Sequence, residues 1–388
     1  MPRLPVIPLG IDTESFIHPP DVRAIWRERL GAAAADVVFL FMGRLSFHAK
    51  ANPFPLYVAL EETARRSPGR RLHLVQAGWF ANTFIEKAFR ASASNLCPSI
   101  NVVFLDGRQP EVRREIWAAA DVFVSLVDNI QESFGLTPVE AMAAGLPVVV
   151  SDWNGYRDIV RDGLDGFRIP TLMAPEGADL AERYAAGLDN YDVYCGLASQ
   201  FVAVDINYCV TAFLHLINDP ALRARLGEEG RRRAVAEYDW QAIIPRYQDL
   251  WAILAEERAR AAESAPPVPA APRVPARPDP YMIYHDYPTE KVGLGHRIVP
   301  TRSLSMESVR RLLSSDMVAY ARRFLPSESD LETVVEHVLQ DENEAVSVGD
   351  VVRMVPVERR GSLLRTLVWM HKYNLVVILP PSDEMEDS

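Results

Sequence analysis

The chain has 388 residues, enough for more than one domain, and its 48% hydrophobic and 24% charged composition is ordinary for a soluble protein. Its formal net charge of −11 argues against a nucleic-acid binder. Three cysteines, Cys97, Cys195 and Cys209, have no metal or redox spacing and suit a reducing compartment, and no apolar run approaches the ~20 residues that span a bilayer. The N-terminal stretch MPRLPVIPLGIDTESF lacks the apolar core of a signal peptide, so a cytoplasmic location, with membrane-peripheral association allowed, is expected.

Taken in chain order, strand-like runs alternate with helical ones from Asp36 to Arg168. VVFLFMG precedes PFPLYVALEETARR, RLHLVQAG precedes a helical run over Phe84 to Ala91, and NVVFL precedes EVRREIWAAA. This alternation predicts an α/β fold, a Rossmann-like doubly wound parallel sheet covered by helices. Residues 170–204, rich in Gly, Tyr and Asp, break the rhythm and read as an insertion or irregular excursion; Asp205 to Arg260 reads as helical throughout. SAPPVPAAPRVPARPDP (264–280) carries seven prolines, an extended linker. The expected organisation is therefore a first domain over 1–262, a Pro-rich linker over 263–280 and an accessory domain over 281–388 with an acidic tail. Helix, helix, helix and a final strand VVILP give that last region a small, mainly helical, winged-helix-like pattern. Its 12 Lys/Arg against 17 Asp/Glu favour a docking or regulatory module over a DNA-binding one.

The most informative stretch is QESFGLTPVEAMAAGLPVVVSD, Gln131 to Asp152. ADVFVSL before it and GLPVVVSD at its end read as buried strands. Between them TPVEAMAAG predicts a short helix with Thr137 as N-cap, Pro138 at the first position and Gly145 at C′. Ligands of such units collect at strand carboxyl ends, facing helix N-termini. Glu132 falls in that loop and Glu140 in the helix. Two readings stay open for each. Thr137 and Glu140 have capping-box spacing, and Glu132 suits an ordinary solvated loop carboxylate. Alternatively, free N–H groups around Phe134 to Thr137 hold a phosphate, and the two carboxylates hold sugar hydroxyls on either side of it.

GRLSFHAK follows the first strand and places Arg44 and Lys50 where two cations neutralise a diphosphate; the bland alternative is surface cations. His48 between them reads as a structural hydrogen-bonder. FLDGR ends another strand with a glycine, where main-chain groups of Leu105, Asp106 and Gly107 can face a nucleobase or simply turn. Asp158, Asp162 and Asp165 read as a helix and turn supporting the site, and no metal is expected there. HExxH, GKT/GKS and GxSxG motifs are absent from the sequence.

Together, PLGIDTESF, GRLSFHAK, FLDGR, ESFGLTPVEAMAAGLPVVVSDWNGYRDIVRDGLDGF and YDW with Tyr247, Leu250 and Trp251 resemble family 4 of the retaining GT-B glycosyltransferases, from Pro5 to Leu254. The resemblance implies two Rossmann-like domains, the nucleotide-sugar donor being bound mainly by the C-terminal one. It implies Arg44 and Lys50 on the donor diphosphate, Glu132 on hydroxyls of the donor sugar, and backbone groups of Phe134 and Gly135 on that sugar. It further implies Leu136 and Thr137 N–H groups on the distal phosphate, Glu140 on the ribose hydroxyls, and Leu105 to Arg108 facing the base. No cofactor or catalytic metal is implied; the donor is a UDP- or GDP-sugar, the group moved is of hexose type, and polysaccharide or glycoconjugate synthesis is the implied setting. In the family PLGIDTESF follows an N-terminal domain that supplies acceptor contacts. The expectation is therefore a donor-binding half whose turnover needs an N-terminal half, on another chain if not on this one. The alternative is a truncated or inactive nucleotide-sugar-binding or regulatory protein.

Overall fold

The computed structural model describes residues 4–260, 280–321, 323–325, 327–340 and 345–381. Six parallel strands form the central sheet: β1 (Val37–Met42), β2 (Leu72–Gly78), β3 (Asn101–Asp106), β4 (Val122–Ser125), β5 (Val148–Ser151) and β6 (Gly166–Ile169). Their spatial order is β3-β2-β1-β4-β5-β6. This is the doubly wound arrangement predicted from the alternation of Val/Leu/Phe runs with helices, strands buried on both faces reading as continuous apolar runs. β1, β2, β4 and β5 are buried along their whole length. The winding reverses between β1 and β4. Loops leaving the carboxyl ends of those two strands diverge there and open a crevice.

The helices of this part are α1 (Pro20–Arg29), α2 (Phe54–Arg66), α3 (Thr83–Leu96), α4 (Pro110–Glu115), α5 (Leu136–Ala143) and the single-turn α6 (Tyr156–Ile159). After β6 the expectation of an irregular excursion is overturned. Residues 171–204 form β7 (Thr171–Met173), α7 (Ala178–Ala185), α8 (Tyr191–Ser199) and β8 (Val202–Val204), with β7 and β8 antiparallel. The strands have only three residues each, too short for period-two alternation to register in the sequence. Then α9 (Ile206–Asn218), α10 (Pro220–Arg233) and α11 (Trp240–Arg260) give the helical run as predicted. The N-terminal segment returns to the start of α11, where the Thr13 hydroxyl donates to Asp239 at 2.6 Å.

The turn before β6 is an ionic anchor. Asp165 is buried and accepts from Arg161 Nε at 2.8 Å and from Arg233 Nη1 at 3.2 Å. Burial would raise its pKa, but the bonds from Arg161, then Arg233, outweigh that and hold the carboxyl below its usual range. With the folded value depressed, this stabilisation is present above the unfolded pKa and is lost as pH falls through the folded one. Asp165→Asn is expected to lower unfolding stability by about 2 kcal/mol near neutrality, the loss of charge-assisted bonds, with the difference from wild type shrinking in acid. Denaturant melts at two pH values check this. Asp158, Asp162 and Asp165 thus belong to a supporting turn, as the sequence suggested.

The linker, apart from Pro280, and the tail beyond Pro381 lie outside the described residues. The rest of the C-terminal region departs from the three-helix pattern. It runs α12 (Pro280–Ile283), β9 (Glu290–Lys291), β10 (Arg297–Pro300), α13 (Met306–Ser314), α14 (Asp316–Ala319), α15 (Glu328–Gln340), β11 (Val346–Ser347), α16 (Val348–Arg353), α17 (Val357–Lys372) and β12 (Val376–Leu379). β11, β10 and β12 make an antiparallel sheet, and β9 joins β7 of the insert in parallel. RIVP was not recognised as a strand because its four residues follow a glycine-rich turn without alternation. The region packs on the first part: Met317 shares an apolar cluster with Phe41, Phe47 and Phe89. Tyr281 OH donates to Ala198 O at 2.8 Å.

Candidate functional site

The site lies at the reversal of winding. β1 ends in Gly43 and releases the loop that carries Arg44 and Lys50; β4 releases the loop that carries Glu132 and then α5. The two loops meet through a salt bridge between the Lys50 ammonium and Glu132 Oε2. Both groups are largely enclosed, with side-chain exposures of 23% and 10%. Tyr156 OH donates a long hydrogen bond to the same Glu132 oxygen at 3.4 Å and bonds Ser125 Oγ at 2.9 Å. Glu132 is therefore not an ordinary solvated loop carboxylate. Arg44 sits in the expected loop, but its Nη2 donates to Ala49 O at 2.7 Å, so the guanidinium is bound within its own turn. The sequence placed both cations correctly and did not foresee that each is engaged.

The start of α5 differs from expectation. Its N-cap is Gly135, at φ +101°, and no side chain caps the helix. Thr137 is the second helical residue and Pro138 the third, so the capping box with Glu140 does not form. The helix begins early because Gly135 adopts a left-handed conformation that a Cβ would prohibit; an added Cβ would lie 2.2 Å from the Tyr156 ring. No described residue accepts the N–H groups of Phe134, Gly135, Leu136 or Thr137. These four orphan donors and the positive end of the helix lie where the sequence reading places a phosphate. At the other end Gly145, at φ +75°, stands at C′ as read.

Glu140 faces a cavity of about 690 Å³ lined also by Met42, Gly107, Arg113, Leu136 and Thr137, within the usual range for a small-molecule site. No described residue donates a hydrogen bond to its carboxylate. Burial raises its pKa, and Arg113 partly opposes the rise. Gly107, from the predicted FLDGR loop, is at this cavity; its N–H is taken by Gly78 O at 2.9 Å. Leu105 packs against the apolar core instead. The Asp106 side chain is paired with Arg108 at 2.8 Å, which lowers its pKa to about 2. Both lie at the end of a strand, and the two residues after it, Gly107 and Arg108, line the opening. Phe134 likewise packs its ring edge-on to Tyr238 at 6.1 Å, leaving its backbone for the site.

Among the described residues the His48 ring bonds Ser46 Oγ, at 3.4 Å, and its backbone carbonyl accepts from Asn129; burial lowers its pKa, with Asp192 opposing and Arg44 adding. Sequence reasoning missed Tyr156 and Arg113, both of which lay inside quoted motifs as helix residues without a spacing signal. The arrangement can hold an extended anionic ligand: a polyol at Glu140, phosphate at the α5 N-terminus, and a second polar group at Lys50 and Glu132.

Comparison with known proteins places these features in a family. Residues 22–186 match the family described as Glycosyl transferases group 1. That span contains Arg44, Lys50, Glu132 and Glu140. The chain is 35% identical over 192 residues to D-inositol 3-phosphate glycosyltransferase of Nocardia farcinica, an alignment covering 49% of this chain and 41% of that protein. It is 31% identical over 268 residues to the protein of the same name from Geodermatophilus obscurus, covering 68% and 50%. The chain thus spans about half the length, or less, of the curated relatives it matches. Among solved structures, sucrose-phosphate synthase from Thermosynechococcus elongatus aligns with a TM-score of 0.45 at 23% identity, covering 65% of this chain and 52% of that one.

Proposed function

Residues 22–186 belong to the glycosyl transferases group 1 family, and from that premise we propose that this chain binds a nucleoside-diphosphate sugar as the donor-binding part of a retaining glycosyltransferase. The observation that carries the reading is the run of orphan N–H groups at the start of α5, flanked by Glu132 on one side and Glu140 on the other. Glu140 takes the ribose hydroxyls, Gly107 borders the base, and Leu136 and Thr137 N–H groups take the distal phosphate. Lys50, with Arg44, neutralises the diphosphate, and Glu132 takes hydroxyls of a hexose-type sugar. In transfer the bond from the anomeric carbon to the β-phosphate oxygen breaks. A bond from that carbon to an acceptor hydroxyl forms on the same face, and the hydroxyl proton passes to the released diphosphate. Fixed cations and helix N–H groups stabilise the departing charge without reorganising, which is where electrostatic catalysis is strongest. The acceptor belongs to polysaccharide or glycoconjugate synthesis.

Calorimetric titration of the chain with UDP and with GDP, beside Arg44→Ala/Lys50→Ala, tests the proposal. Saturable binding of one nucleotide that the double variant loses supports it and names the base. A folded chain that binds neither overturns it.

Glu140 supplies a pH signature. Its raised pKa means that acidification protonates it before an ordinary glutamate, and a protonated carboxyl accepts fewer hydroxyl donors. Nucleotide affinity is expected to fall as pH drops through that raised value. Glu140→Gln should weaken binding by about 1–3 kcal/mol at neutral pH, the loss of a well-placed acceptor, and flatten the pH dependence. With the capping box absent, its thermal stability should not fall. Titrations of both proteins across pH check this.

A further inference from the structure

Asp128 stands in the loop after β4, four residues before Glu132. Its carboxylate is buried and faces both donor loops and the C-terminal region. Oδ1 accepts the N–H of Asn52, two residues beyond Lys50, at 3.3 Å. Oδ2 receives the ammonium of Lys372 at the end of α17; each partner is 1% exposed. The same ammonium donates to Ser199 O at 2.6 Å. The next residue, Tyr373, accepts from Asn52 Nδ2 at 3.2 Å and donates to Gln200 Oε1 at 2.8 Å. Asn129, following Asp128, donates to His48 O at 2.8 Å, which ties the two loops a second time.

A buried ion pair is weak as a source of stability, because desolvation offsets most of its attraction; its better-attested use is to fix one arrangement. What this pair fixes is the separation of the Lys50 loop from the Glu132 loop. Asp128 bonds the first through Asn52 and carries the second covalently. Its second oxygen is held by Lys372 of α17.

Resting on the donor-site reading above, we propose that Asp128 and Lys372 are positioning residues for the Lys50–Glu132 pair. The C-terminal unit thereby holds the sugar end of the site in working geometry. Residues 280–381 act on this view as a brace for the donor loops, joined to them by a contact across 244 residues of sequence. The nucleoside end, built on α5 and Gly107, does not depend on it.

The test uses the full chain and two variants. Lys372→Met keeps the aliphatic stem but strands Asp128, and it is expected to lower stability. Asp128→Asn/Lys372→Met removes both charges and is the variant expected to fold. Each is titrated with UDP and UDP-glucose, and with GDP and GDP-mannose, after a thermal melt. For the double variant, diphosphate affinity should stay within about twofold of wild type. Affinity for the matching sugar donor should fall about tenfold, the loss of one or two hydrogen bonds at the sugar. Equal loss on both ligands is what a purely structural tie would give, and it overturns the proposal, as does an unchanged ratio. A wild-type chain that binds none of the four overturns the donor-site reading and this one together.

Discussion

Glu132→Gln is expected to separate binding from turnover. In the structure the Glu132 carboxylate and the Lys50 ammonium neutralise each other. A donor must therefore compete for both. Glutamine keeps the shape and an acceptor but removes the charge, which frees Lys50 for phosphate. Affinity for a bare nucleoside diphosphate should stay level or tighten, by up to about tenfold, the scale of one charge-assisted bond. Sugar transfer should fall on the order of 10²- to 10³-fold, as when a preorganised polar group at a reacting centre is removed. Calorimetry with the diphosphate and a donor-cleavage assay on the same protein give the two readings. A parallel loss of both would mean that Glu132 supports the loop and does not act on the sugar.

Gly135→Ala is expected to be strongly destabilising. The residue sits at φ +101° and its new Cβ would lie 2.2 Å from the Tyr156 ring. The ring cannot retreat easily, being fully buried and bonded to Ser125. The left-handed backbone costs about 1–2 kcal/mol and the overpacking about 1–3 kcal/mol more. A stability loss of about 3–4 kcal/mol follows, with α5 shifted off its anion-binding position. Denaturant unfolding measures the first and nucleotide titration the second. Gly135→Ala/Tyr156→Ala should cost less than the sum of the two single substitutions, because the clash is absent when both are made.

The central sheet was legible because parallel strands buried on both faces leave long Val, Leu and Phe runs, and helices between them leave caps and amphipathic spacing. The site was legible where function depends on a short contiguous segment: Glu132, Gly135 and Glu140 lie within nine residues, and Lys50 is in the loop of the neighbouring strand. The start of α5 was misread by two residues because Thr-Pro is a strong local signal and a left-handed glycine leaves none. That the Leu105 side chain packs on the core was not legible, because alternation at a strand end decides which side chain faces out and the motif does not carry that phase. The insert and the C-terminal region were misread for a different reason. β7, β8 and β9 have two or three residues each and complete one another across more than a hundred positions, so neither segment carries its own pattern. Lys372 and Tyr373 were invisible for the same reason: nothing near them in sequence marks an ion pair with residue 128.

That separation also sets an order of events in biosynthesis. Asp128 leaves the ribosome 244 residues ahead of Lys372, roughly ten seconds to a minute at ordinary elongation rates. A carboxylate without its cation resists transfer out of water. Through that interval the donor loops lack their brace from the C-terminal region, although from the emergence of β6 the sheet beneath them has every strand it needs. The nascent protein is thus a completed scaffold with an unset site, and the last helix to emerge is the one that sets it.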